Sequence, residues 1–275
     1  EFAKERQAIP FAVFKPTGLG RLDLYEKVGA KVTLTSSEQD EWDRVVDRFD
    51  LVCKTAQFKD VALLIDAEES WMQDAADDLV AQMMQKYNKE KAIVFNTLQM
   101  YRWDRLDYLK QLHQKAKQEG FYIGMKIVRG AYMEKENARA EAKGYPTPIC
   151  PSKEATDANY DAAVLYMMEH LETMAIFAGT HNESSSYALM NLMQERNIKT
   201  NDERIWFGQL YGMSDNISYN LAANRFNVAK YLPFGPVKDV MPYLIRRAEE
   251  NTSVAGQTSR ELSMLKAERN RRKAL

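Results

Sequence analysis

Short apolar runs separated by helical stretches are what most limits the architectures open to this chain. The runs are FAVFKPTG at 11–18, VALLIDAEE at 61–69, AIVFNTLQMY at 92–101, FYIGMKIVRGAY at 121–132, MAIFAGTHNE at 174–183, RIWFGQLYGM at 204–213 and VAKYLPFGP at 228–236. They are short, β-branched and aromatic, as strands buried on both faces should be. Helical patterns near 71–88, 103–119, 155–172, 184–196, 215–224 and 238–250 separate them, the first with Trp71, Ala75, Leu79 and Met83 near one face. Such a βα series implies a parallel sheet with right-handed crossovers. Seven strands are visible, and an eighth, upstream of Glu1 or within residues 1–10, would close a (β/α)8 TIM-like barrel variant. The alternative is an open doubly wound sheet, but no Gly-x-Gly-x-x-Gly follows an early strand. Polar residues instead end nearly every strand: Lys15, Asp66, Gln99, Arg129, His181, Gln209 and Tyr231. A barrel gathers such ends around one mouth, and the spread favours the barrel.

A length of 275 residues suits a single barrel domain over 1–275, with a polar excursion near 29–48 and a final helix near 238–251. The excursion leads into a helix expected to end near Gln57. A formal net charge of −1 gives no global field for nucleic acid. Cys53 and Cys150 make no disulfide scaffold and fit a reducing compartment. No apolar run reaches the roughly 18 residues of a membrane span, and no secretory signal is visible. The charged tail from Thr252 reads as an amphipathic helix with Leu262 and Leu265 on one side. Its basic cluster, Arg269, Arg271, Arg272 and Lys273, suits either an anionic membrane surface or a solvated terminus.

Four constellations carry chemistry. Arg246 and Arg247 are adjacent on the helix after YLPFGP, and their guanidinium forks can converge on one carboxylate or phosphate; a solvated charge patch is the bland reading. Glu250 lies one turn beyond Arg246 and can orient it. In LIDAEES, Asp66 ends a buried strand, where it can pair with Lys15, position a substrate, act as a base or cap a helix. In MKIVRGAY, Lys126 and Val128 alternate with Ile127 and Arg129, so only one set can face the barrel interior, and Gly130 allows a close turn beside a ligand. His181, in AGTHNES, can bind metal, act as a base or contact a cofactor. The other histidines, His113 and His170, sit in helices and read as peripheral. No spacing suggests a metal site, and no nucleophile elbow suggests hydrolysis.

FKPTGLGR, LIDAEES, IVRGAY, THN, GQLYGM, YLPFGP and YLIRRAEEN, in that order from about residue 11 to 252, resemble the FAD-dependent proline dehydrogenases. The resemblance implies a variant (β/α)8 barrel with FAD at the C-terminal strand ends. It implies that Arg246 and Arg247 hold the carboxylate of L-proline and that Glu250 supports them. Lys15 and Asp66 match the substrate-site lysine and aspartate, and Tyr132 and Tyr231 match aromatic residues near the substrate. Leu210 or Tyr211 completes an apolar wall, and the sequence leaves open which. For FAD, the matches imply Gln99 near the ring system, Lys126 near its reactive nitrogen, Arg129 at phosphate, His181 and Asn182 on the cofactor, Lys153 and Thr156 toward the dinucleotide end, and Gln209 as a further contact. The expected reaction is oxidation of proline to Δ1-pyrroline-5-carboxylate, with electrons passed to a quinone through peripheral membrane contact. The expected location is cytoplasmic, at the inner face of the cytoplasmic membrane, or mitochondrial in a eukaryote. The length leaves no room for a fused aldehyde dehydrogenase, so a monofunctional enzyme is expected. Hydroxyproline oxidation, or a non-catalytic FAD- or amino-acid-binding regulatory barrel, are the alternatives.

Overall fold

The computed structural model describes residues 8–238, 240–241, 243–245 and 257–273. Its seven strands are β1 (Phe11–Phe14), β2 (Ala62–Ile65), β3 (Val94–Gln99), β4 (Ile123–Val128), β5 (Met174–Gly179), β6 (Ile205–Leu210) and β7 (Val228–Tyr231). They form one sheet in sequence order, and the pairs from β1 to β6 are parallel. All seven apolar runs therefore become strands, as the alternation predicts. Helices connect them: α1 (Leu22–Gly29), α2 (Ser36–Lys59), α3 (Ser70–Tyr87), α4 (Arg105–Glu119), α5 (Met133–Lys143), α6 (Lys153–Glu169), α7 (Glu183–Glu195), α8 (Asp215–Ala223) and α9 (Gln257–Lys273). Backbone at 237–238, 240–241 and 243–245 is also helical. The chain divides into two compact units, Glu1–Gln209 with Asn216–Ala229, and Leu210–Asp215 with Lys230–Leu275.

In the first unit, the period of two along each strand separates two cores. Outward residues such as Leu63, Ile65, Val94, Leu98, Ile123, Met125, Ile127 and Ile176 pack under the helices. Inward residues make a smaller cluster of Leu64, Phe95, Ala175 and Phe177, with Phe11, Trp206 and Ala229 against it. Phe11 of β1 meets Trp206 of β6 edge-on at 5.1 Å, and Phe177 of β5 at the same distance. The sheet is thus curled until strands distant in order share one interior, which is a barrel's packing. Each edge-to-face pair contributes about 0.5–1.5 kcal/mol beyond its buried area. Gly124 makes room for this layer, since a Cβ there would lie 2.6 Å from the Phe95 ring.

Three stretches differ from expectation. The excursion at 29–48 is largely helix, because α2 begins at Ser36 and runs to Lys59, past Gln57. Its start is a capping box: Thr35 accepts from the Glu38 N–H, and Glu38 reaches back to the Thr35 N–H. Val45, Phe49, Cys53 and Ala56 form its buried stripe. Helix α1 is short and falls between the first strand run and the excursion, where the sequence reading assigns no element; it buries Leu24 and Tyr25. Helix α5 follows the IVRGAY strand end; it buries only Glu136 and Ala140, so it has no apolar period to announce it. His113 is not peripheral: it is buried between Tyr166 and Thr173, which its two ring nitrogens engage at 2.7 and 3.2 Å.

Candidate functional site

Above the aromatic layer the inner face of the first unit turns polar. Lys126 stands in β4 beside Phe177 of β5. Its Nζ donates to Asp66 Oδ1 at 2.7 Å, with both side chains only 10% exposed. Lys15, one residue past β1, brings a second ammonium to 3.7 Å from Asp66 Oδ2 and donates to the Tyr132 hydroxyl at 3.2 Å. The alternation in MKIVRGAY is therefore settled, with Lys126 and Val128 facing inward. The Asp66 carboxylate thus lies between two ammonium groups at this end of the strands. Burial pushes the Lys15 pKa down, but Asp66, Tyr132 and Glu68 outweigh it and the net direction is up. Burial raises the Tyr132 pKa despite the opposing Lys15 charge, so the phenol keeps its proton.

The segment after β2 organises this cluster. Asp66 faces the two lysines. Glu68 turns the other way and accepts from Thr17 N–H at 2.9 Å and Thr17 Oγ1 at 2.8 Å, holding the turn that carries Lys15. The Glu68 carbonyl accepts from Gln99 Nε2 at 2.6 Å, and its N–H donates to Gln73 Oε1 at 2.9 Å. Glu69 pairs with Lys135 at 3.0 Å. Ser70 donates its N–H and hydroxyl to Glu136, at 2.6 and 2.5 Å. Sequence reading missed Glu68, Thr17, Lys135 and Glu136 as supports. The acidic run was a usable signal for the first; the others need the cross-strand geometry.

Arg129 points out of the barrel. Its guanidinium donates to Asp157 at 2.5 Å, Thr180 at 2.7 Å and Ser185 at 2.9 Å, and stacks on the Tyr160 ring at 4.5 Å. Lys153, at the start of α6, reaches the other Asp157 oxygen at 2.5 Å. Burial would raise the Asp157 pKa, but Lys153 and Arg129 outweigh it and hold it below the usual range. Thr156 donates to the Ser152 carbonyl at 3.2 Å, so this basic corner is bound into the first turn of α6. Asn182 N-caps α7, accepting from Ser185 N–H at 3.2 Å, and His181 immediately precedes it. Gln209 is buried, accepts from Ser218 at 2.9 Å and donates to the Thr180 carbonyl at 3.2 Å. Gly130, at φ 137°, makes room for protein: a Cβ would lie 2.5 Å from the Tyr101 ring. Among the described residues no group of three or more His, Cys, Asp or Glu side chains is placed to hold a metal.

The second unit carries Tyr231 at the end of β7, where its carbonyl accepts from the Tyr211 N–H at 3.0 Å. Tyr211 is exposed and Leu210 half-buried. Arg246, Arg247 and Glu250 lie outside the described residues.

A sequential parallel sheet wrapped on an aromatic interior, with a lysine–aspartate–lysine cluster at its strand ends, defines a βα-barrel protein. The proline dehydrogenase family model matches residues 3–260, and the chain belongs to that family. It is 37% identical over 273 residues to the carbapenem antibiotics biosynthesis protein CarD of Pectobacterium carotovorum subsp. carotovorum, covering 99% of this chain and 70% of that one. It is 40% identical over 241 residues to mitochondrial proline dehydrogenase 1 of Homo sapiens, covering 86% of this chain and 40% of the human protein. The structure of proline utilization A from Bdellovibrio bacteriovorus, inactivated by N-propargylglycine, shares the fold, with a TM-score of 0.77 at 24% identity over 88% of this chain and 24% of that one. The chain thus spans well under half of the human protein.

Proposed function

We propose that this protein oxidises L-proline to Δ1-pyrroline-5-carboxylate with FAD and passes the electrons to a quinone. The observation that carries this reading is the Lys15–Asp66–Lys126 cluster at the strand ends of a chain in the proline dehydrogenase family. The residues present fit the cofactor. Lys126 and Gln99 lie on adjacent strands at the polar end of the interior, where a cation and an amide suit the ring system. His181 and Asn182 open α7, and Lys153 and Thr156 open α6, where helix N-termini suit phosphate. Arg129 braces that corner through Asp157 and Thr180, and Gln209 braces the end of β5. When bound, FAD supplies the two-electron acceptor for the hydride equivalent leaving the ring carbon beside nitrogen.

The protein's own task is alignment. Asp66 fixes both ammonium groups, and Lys15 fixes the Tyr132 hydroxyl at the edge of the substrate space. Tyr132 and Tyr231 are assigned to flank the proline ring. Arg246 and Arg247, supported by Glu250, are assigned to its carboxylate, with Leu210 or Tyr211 as the apolar wall. As the carbon–hydrogen bond breaks with its electron pair departing, the nitrogen lone pair forms the C=N bond and the amine proton passes to water. Holding that carbon in one orientation accounts for much of the acceleration. Quinone reduction implies contact with a membrane surface, at the inner face of a cytoplasmic membrane or in a mitochondrion. Among the described residues no helix is long and apolar enough to cross a membrane, and the exposed Arg269, Arg271, Arg272 and Lys273 of α9 suit peripheral contact.

The test is anaerobic titration of the FAD-loaded protein with proline and with hydroxyproline. Bleaching of the flavin absorbance by proline is expected. Full FAD occupancy with no bleaching by proline would overturn the reading.

A further inference from the structure

We infer that Glu136 is a positioning residue: by capping α3 it holds the loop that carries Tyr132 against Lys15 and Asp66. The consequence for substrate rests on the proline-oxidising reading; the latch itself does not.

Glu136 is wholly buried, on a helix whose other residues are mostly exposed. A carboxylate taken out of water needs bonds to replace its hydration. It accepts the Ser70 N–H on one oxygen and the Ser70 hydroxyl on the other. Ser70 opens α3, where N–H groups lack partners within the helix and negative charge is favoured. The N-cap residue of α3, Glu69, provides no side-chain cap of its own. Glu136 therefore supplies from another element what the local sequence omits.

The bonds form a closed circuit. The Glu136 N–H donates to the Tyr132 carbonyl at 2.9 Å, so Tyr132 sits one turn ahead of the cap. Tyr132 accepts from Lys15, and Lys15 faces Asp66, four residues before Ser70. Lys135 clasps Glu69 beside the cap. On the opposite side Glu68 ties the Lys15 turn to the same segment through Thr17. Three site residues from three strand ends are thus referred to one short stretch, Asp66–Ser70.

Helix α5 has other moorings. Arg139 bonds to Glu26 and stacks on the Trp71 ring at 4.3 Å. These keep α5 docked without Glu136, so the cap's distinctive effect is the placement of the Tyr132 loop.

The experiment compares the parent chain with Glu136→Ala, Glu136→Gln, Tyr132→Phe and the Glu136→Ala/Tyr132→Phe double variant. Amide exchange by mass spectrometry across 129–133 should quicken in Glu136→Ala. Glu136→Gln, which keeps an acceptor for the N–H and a group to meet the hydroxyl, should restore most of the protection. Binding of tetrahydrofuran-2-carboxylate should weaken about tenfold in Glu136→Ala, the effect of one lost charge-assisted bond. KM for proline should rise more than kcat falls. In the Tyr132→Phe background the added penalty should shrink, because the phenol bond to Lys15 is already gone. Unchanged exchange, or fully additive penalties, would overturn the inference. If Glu136→Ala does not fold, Ser70→Ala removes only the hydroxyl bond and should quicken the same exchange to a smaller degree; no quickening there also overturns it. A parent chain that neither binds the acid nor oxidises proline defeats the functional reading, and the exchange result still decides the latch.

Discussion

At Asp66 a single carboxylate answers two ammonium groups, and this balance sets what a substitution there does. Asp66→Ala would remove the 2.7 Å ion pair of Lys126, whose side chain is 10% exposed, and leave Lys126 and Lys15 without the carboxylate between them. Breaking such a buried pair should cost about 3 kcal/mol, with Asp66→Asn costing less because an acceptor oxygen stays. Urea unfolding measures both, and an Asp66→Ala protein as stable as its parent would mean the lysines escape to solvent. His113 gives a second prediction. Burial first, then the charges of Lys117 and His170, push its pKa down from 6.5 to about 4. The folded state wants the neutral ring while the unfolded chain takes a proton near pH 6.5. The group's contribution is therefore complete above that pH and is lost as pH falls toward 4, by up to about 1.4 kcal/mol per pH unit. His113→Gln should flatten the loss of stability between pH 6.5 and 5 by about 2 kcal/mol; parallel pH profiles for the two proteins would remove His113 from that role. The sequence marked Lys15, Asp66 and Lys126 through their places at or near strand ends. It could not say that Lys126 faces inward and Arg129 outward, because a strand's period assigns two faces without naming them.

The strands were legible because burial on both faces leaves little but β-branched and aromatic residues in them. The capping box of α2 was also written in the chain as Thr35-Ser-Ser-Glu38, although the polar residues around it read as excursion. Helix α5 was illegible for the opposite reason: its buried contacts are a carboxylate and an alanine, and no apolar rhythm survives. Glycines within strands are a similar case. Gly124 is an unremarkable residue in the sequence, yet a Cβ there would lie 2.6 Å from the Phe95 ring and 2.7 Å from the Val94 carbonyl oxygen. Because backbone is one of the two obstacles, repacking alone cannot relieve it. Gly124→Ala should cost about 1–3 kcal/mol in denaturant unfolding. Gly18→Ala, where a Cβ meets nothing within 4 Å, is the control and should change stability little.

At the scale of the chain, the ring of Phe11 joins β1 to β3, β5 and β6 through Phe95, Phe177 and Trp206. Contacts so distant in sequence carry a high loop-closure cost and form late. Phe11→Ala should therefore speed unfolding and barely slow folding, with about 3 kcal/mol lost in total. Stopped-flow kinetics across a denaturant series decides it: slowing of folding by the full amount would place this closure in the folding nucleus instead. The family resemblance is spread over the same length, in short motifs at six of the seven strand ends and one beyond the last strand, so only their order makes it readable. The interior layer has a temporal side as well. Phe11 must wait for Trp206, about 195 residues later, to leave the ribosome. At about 5–20 residues per second that is a delay of roughly 10–40 s. For that interval the nascent chain presents an aromatic strand whose interior does not yet exist, which leaves β1 open to non-native contacts during synthesis.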